Sequence, residues 1–114
     1  MSTKSIEQLI NIEAQKIAKE LTVEVLEGES LYQLGAKVFI RTVTYHYTGQ
    51  ISFISDKEIV LSEAAWIADS GRFANALKTG ILDEVEPYPN LCGINRDAII
   101  DASPWNHKLP RETK

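Results

Sequence analysis

A run of β-branched and aromatic residues, broken once by a glycine, constrains this chain more than any other feature. After Ala36, Val38, Phe39, Ile40, Val43, Thr44, Tyr45 and Tyr47 supply the side chains that best fill a pleated, half-buried surface. Gly49 interrupts the run and Ile51, Phe53 and Ile54 resume it, so the glycine marks a bulge or sharp bend rather than an end. Ser55-Asp56-Lys57 is a compact polar turn, and Glu58 to Ile67 supplies another strand. Residues 36–67 therefore predict three consecutive, strongly bent strands.

The flanks have a different character. Ser5 with Gln8 three residues later resembles a capping box, and Ile6, Leu9, Ile10, Ala14, Ile17 and Leu21 recur at helical spacing. The spacing predicts an amino-terminal helix over 5–21. Its polar side carries both signs of charge, which argues for packing on a neighbour rather than on a membrane. Residues 69–89 break the β pattern. Asp69 or Ser70 can cap a short helix through Phe73, Ala74, Ala76 and Leu77, with Gly80 at its carboxyl end. The acidic stretch from Asp83 to Pro89 holds two prolines and predicts a loop or a sheet edge. Residues 90–102 predict two last short strands bent near Arg96-Asp97, and 103–114 a tail that folds over the barrel or frays.

The expected architecture is one domain over 1–114, mainly β with an N-terminal α-helix. Several short bent strands in so short a chain favour a small five-stranded barrel, because closure removes unpaired sheet edges. A helical insertion precedes its last two strands.

Charge and cysteine usage narrow the function classes. The formal net charge is −4 and the sequence pI is about 5.1, so broad attraction to nucleic acid or anionic lipid is not expected. Cys92 is the single cysteine, which rules out an internal disulfide and fits a reducing, cytoplasmic setting. No apolar stretch near the amino terminus is long enough for a signal peptide or a span.

Helix followed by five bent strands resembles the Sm fold of Sm, Sm-like and Hfq proteins, an SH3-like barrel. Tyr47-Thr48-Gly49-Gln50-Ile51 is similar to the aromatic-x-Gly-x-aliphatic bend of the first Sm motif. Asp56 matches its acidic turn, and Ile59-Val60-Leu61 its aliphatic strand. Ile94-Asn95-Arg96-Asp97-Ala98-Ile99 resembles the short second motif of Hfq proteins. The resemblance implies closed rings of six or seven subunits built by edge-strand pairing. It also implies a uridine-rich RNA site, which would fall on Tyr45, Tyr47, Asp56, Glu58, Asn95, Arg96 and Asp97. Two positions depart from the pattern. Glu58 stands where the family places a base-binding asparagine, and a carboxylate only accepts and repels phosphate. Asp97 stands where Hfq proteins carry histidine, although Arg96 keeps the neighbouring positive charge.

These residues support three readings, all non-enzymatic and without a metal or cofactor. The first is a homo-oligomeric binding or scaffold module working mainly through protein–protein contacts, which the acidic balance and both departures favour. The second is a ring that binds RNA at Arg96, Tyr45 and Tyr47. The third is a single-copy barrel in a larger assembly, such as those of phages or mobile elements, with a sheet edge covered by its own insertion or tail. Tyr45-His46-Tyr47 fits either base stacking or simple alternation, with both tyrosines on one face and His46 on the other. Trp66 and Phe73 either pack the insertion onto the barrel or form an exposed patch. Catalysis would require His46, Cys92 and a carboxylate to converge in one cleft.

Overall fold

A computed structural model describes residues 30–114; the helix expected over 5–21 lies outside them. The strands are β1 (Lys37–Thr42), β2 (His46–Ile54), β3 (Glu58–Asp69), β4 (Glu84–Pro87), β5 (Cys92–Asn95) and β6 (Ile99–Pro104). Helix α1 (Phe73–Thr79) joins β3 to β4, and a single 3₁₀ turn (Arg96–Ala98) joins β5 to β6. All pairings are antiparallel in one sheet of order β4-β3-β2-β1-β6, with β5 also paired to β3.

The sheet has six strands where five are predicted. The additional one, β4, is the acidic, proline-containing stretch, and it lies at an edge where a proline without an N–H is tolerated. The long strand β3 serves two short neighbours on one side, β5 along its first half and β4 along its second. The chain then turns through Arg96–Ala98 and delivers β6 to the opposite side, against β1. No ladder joins β6 to β4 or β5, so the hydrogen-bonded sheet is not a closed barrel.

Alternation along β1 sends side chains into two separate cores. Val38 and Ile40 enter one with Ile51, Ile59, Leu61, Ala64, Cys92 and Ile94. Phe39 enters the other with Ala65, Ile67, Ala76, Leu82, Val85, Trp105 and Leu109. The first core is built from β1, β2, β3 and β5. The second is roofed by α1 and by the carboxyl tail, so the tail folds down and does not fray. Trp105 is 1% exposed, and its indole Nε1 donates to the Lys108 carbonyl at 3.2 Å. Phe73 packs against Phe39 with ring centroids 5.5 Å apart, fixing α1 to the sheet. Gly80 ends α1 at φ +76°, a conformation that favours glycine, with its N–H donating to the Ala76 carbonyl.

Gly49 is the bend that the sequence marks. Opposite it, β3 holds two residues, Glu63 and Ala64, between the pairs Thr48↔Ala65 and Gln50↔Ser62. The bulge resets the alternation, so Leu61 and Ala64 share a face although they stand an odd number of positions apart. Glu63 takes the cost, at φ +48°, a left-handed conformation worth roughly 1–2 kcal/mol of strain in a non-glycine residue.

Thr48 is fully buried and its hydroxyl has no partner among the described residues. Such an unpaired group costs about 1–3 kcal/mol. Thr48→Val keeps the shape and removes that penalty, so its urea midpoint is expected to rise, by about 1 kcal/mol of stability. A fall in the midpoint would mean that the hydroxyl is satisfied in solution.

Arg41 and Asp101 tie β1 to β6 at one register position, through an Nε–Oδ1 bond of 2.8 Å and a second, Nη2–Oδ2 contact. The paired guanidinium holds the Asp101 carboxyl below the usual aspartate range. Its contribution is therefore complete above the unfolded aspartate value of about 3.9 and is lost as pH falls through the lower folded value. Asp101→Asn should lower the melting temperature slightly at pH 7, because both groups are half-exposed. That gap should close on acidification below about pH 4; a gap independent of pH would assign the effect to packing.

Candidate functional site

The residues singled out in the sequence separate into two places. Asp56, Glu58, Asn95, Arg96 and Asp97 gather where the β2–β3 turn meets the end of β5. Glu58 pairs with Asn95 across β3 and β5. Asn95 caps the 3₁₀ turn, its Oδ1 accepting from the Asp97 N–H at 3.0 Å. The Arg96 guanidinium donates to the Ser55 carbonyl at 2.9 Å and lies over the Tyr32 ring, 5.3 Å from its centroid. Its backbone N–H donates to the Lys57 carbonyl. Arg96 is thus a clamp between the hairpin turn and the end of β5, half-buried by the contacts that hold it. Around it, Asp56, Glu58 and Asp97 are exposed carboxylates and Lys57 an exposed cation.

Tyr45 and Tyr47 lie at the other end of the β2–β3 hairpin, on the order of 25 Å away at ~3.3 Å per strand residue. Thr42 shapes the turn before them. Its Oγ1 accepts from the Tyr45 N–H at 2.9 Å and donates to the Tyr45 carbonyl at 2.7 Å. Tyr45 is not a core residue but is 49% exposed, while Tyr47 packs against the first core. His46 points the other way, its ring 5.8 Å from Phe39 in the second core. Cys92 belongs to the first core, so His46 and Cys92 lie on opposite faces of the sheet. Among the described residues, no group of three histidine, cysteine or acidic side chains is placed to hold a metal ion.

Two further aromatics join these tyrosines. Trp66 is the register partner of Tyr47 on β3, and Glu86 is the register partner of Trp66 on β4. Directly opposed residues share a face, so Tyr47, Trp66 and Glu86 form one row across three strands. Tyr88 stands just beyond Glu86 in the chain and packs against the first core. Tyr45 meets Trp66 edge to face at 5.8 Å, and Tyr47 meets Tyr88 at 6.3 Å. The four rings line an open hollow of about 230 Å³. Tyr88 also lines a neighbouring hollow of about 520 Å³ with Glu63, Pro89, Asn90, Leu91 and Arg111.

The electrostatics of this aromatic face combine neutral rings with charges of both signs at its border. Burial pushes the Tyr88 hydroxyl up to about 12, with the neighbouring Cys92 and Tyr47 adding to it. Burial likewise raises Tyr47 and the Cys92 thiol, so all three stay protonated and neutral near pH 7. Arg111 lines the neighbouring hollow beside Glu63 and donates to the carbonyls of Ala64 at 2.8 Å and Tyr88 at 2.9 Å, neutral acceptors that leave its positive charge in place. Glu63 and Glu86 are exposed and make no ion pair among the described residues. The sequence marks Trp66 as an aromatic of open role but gives no sign of Tyr88 or Glu86. The register that brings them to Tyr47 depends on the Glu63 bulge, which no local residue pattern announces.

The sheet edges are the other feature of the surface. The edge of β4 is occupied by the tail: Val85 and Lys114 exchange backbone bonds in both directions, at 2.9 and 3.0 Å. β5 pairs only with β3, and β6 only with β1, among the described residues. Ile100 on β6 is 63% exposed.

No protein-family model matches this chain, and no curated protein matches it. Among the described residues no helix is long and apolar enough to cross a membrane.

Proposed function

We propose that this protein is a non-enzymatic binding or scaffold module that assembles with copies of itself through β5 and β6, in the manner that the Sm/Hfq resemblance implies. The observation that carries the reading is the one-sided pairing of these two strands. An open strand edge is a template for another chain, and proteins ordinarily cover or blunt such edges. Here the tail covers β4, and among the described residues β5 and β6 are left to be covered otherwise. Pairing β6 of one copy with β5 of the next is a head-to-tail contact, which closes into a ring when the rotation between copies allows. Protein contact takes precedence over RNA in this reading, because the Arg96 guanidinium holds Ser55 and Tyr32 and the exposed carboxylates around it, Asp56, Glu58 and Asp97, outnumber the one exposed lysine there, Lys57.

One observation favours a second reading. The Lys114 bridge to Val85 is the kind of self-covered edge expected of a single-copy barrel within a larger assembly. Ile100→Lys separates the two, since a charge on the β6 surface obstructs pairing there without touching either core. If copies join through β6, the variant elutes from a sizing column as a smaller species than the wild type while keeping its circular dichroism spectrum. Identical elution of both proteins as an oligomer would remove β6 from the contact, and elution of both at the mass of one chain would leave the single-copy reading.

A further inference from the structure

We infer that the hollow between Tyr45, Tyr47, Trp66 and Tyr88 is a docking site for an arginine side chain presented by an extended segment of a partner protein. The inference does not rest on self-assembly, because the hollow is lined from the β1–β2 turn, β2, β3 and the segment after β4 and by no side chain of β5 or β6. Three features select the ligand. The first is π surface: aromatic faces attract cations, and the planar guanidinium stacks on them best. This chain already uses that contact twice, with Arg41 4.5 Å from the Phe73 centroid and Arg96 over Tyr32. The rings of the hollow have no cation over them among the described residues.

Charge is the second feature. Glu86 flanks Trp66 in register beside the rings, while Glu63 and Arg111 offset one another in the adjoining hollow beyond Tyr88. The Glu86 carboxylate, without an ion pair among the described residues, rewards a cation and repels a phosphate backbone, which selects a basic peptide over a nucleic acid although both stack on aromatics. Shape is the third. The two hollows meet at Tyr88, so a segment whose arginine sits among the rings can run its backbone along Pro89, Asn90 and Leu91.

The test uses the full chain and its two tryptophans, whose indole N–H signals resolve by nuclear magnetic resonance. Trp66 lines the hollow and Trp105 is buried in the other core, so one reports and the other controls. The probes are a blocked Gly-Ser-Arg-Ser-Gly peptide, the same peptide with neutral citrulline for arginine, and an oligouridine. The expected result is a saturable shift of Trp66 with the arginine peptide, a static Trp105, and binding of the citrulline peptide weaker by about threefold or more. Tyr45→Ala and Glu86→Gln, both at exposed positions, should each weaken the arginine peptide by about threefold with unchanged melting temperature. Equal shifts with arginine and citrulline would overturn the proposal, as would a Trp66 that no peptide moves. A Trp66 that responds to oligouridine in place of the peptide would assign the hollow to RNA.

Discussion

Gly49→Val is expected to lower the melting temperature by about 10 °C or more, and to do so without touching any ligand-facing surface. The reason is geometric. A Cβ added at Gly49 would lie 2.8 Å from the Leu61 Cβ and 3.3 Å from the Ala64 Cα. These atoms belong to the backbone of β3 or sit directly on it, so no swing of a side-chain tip relieves the overlap. β2 and β3 must separate where the Glu63–Ala64 bulge lets them cross closely. Overpacking of this kind costs about 1–3 kcal/mol for modest additions, and a branched side chain lies at or above the upper end. Gly49→Ala should fall between the wild type and Val. Gly93→Ala is the control, because its nearest neighbour is the mobile carboxylate of Glu58 at 3.0 Å, and its melting should barely change. Thermal melts followed by circular dichroism decide the matter, and equal effects at Gly49 and Gly93 would remove the close crossing as the cause.

Trp105→Ala should be the other severe substitution, with a loss of about 3–5 kcal/mol. Trp105 fills the second core between the sheet and the tail, 5.8 Å from Phe39 and 4.9 Å from His107. It also anchors the rest of the tail. His107 bonds to the Leu77 carbonyl through Nε2 at 2.6 Å, the His107 carbonyl accepts from Lys37 at 2.7 Å, and Leu109 is buried in the same core. Loosening the indole therefore releases the roof of the second core and, with it, the Lys114 bridge that covers β4. Urea denaturation should show the stability loss, and carboxypeptidase should trim the variant but spare the wild type. A tail equally resistant in both proteins would mean that Lys37 and Arg111 hold it without the indole.

Local chemistry made much of this fold legible. The β-branched and aromatic run, the bend at Gly49, the turn at Ser55–Lys57, the helix ending at Gly80 and the break at Arg96 are each set by residues close in sequence. The features that escape such a reading depend on contacts distant in sequence. β4 reads as a loop or an edge because its glutamates and proline depress strand propensity, yet pairing with β3 overrides them. The bulge at Glu63 leaves no mark, since glutamate is not a residue that advertises a positive φ. With the bulge unread, the alternation past Leu61 is displaced by one, and Trp66 cannot be assigned to the face of Tyr47. The aromatic hollow is half legible for the same reason: Tyr45 and Tyr47 stand out as a pair, but Tyr88 reaches them only through the sheet. Arg96 shows how charge alone leaves a role open, because the same guanidinium that the sequence offers to RNA also holds the Ser55 carbonyl and the Tyr32 ring.

Self-assembly is the claim on which the proposed function turns, and the absolute solution mass of the full chain tests it most directly. Multi-angle light scattering across a range of concentrations should give a single species at six or seven times the chain mass of 12.8 kDa. That result would match a ring closed through β5 and β6. A mass of one chain at every concentration would contradict the ring and leave this protein as a single-copy component, with the β5 and β6 edges that are open among the described residues serving a different contact.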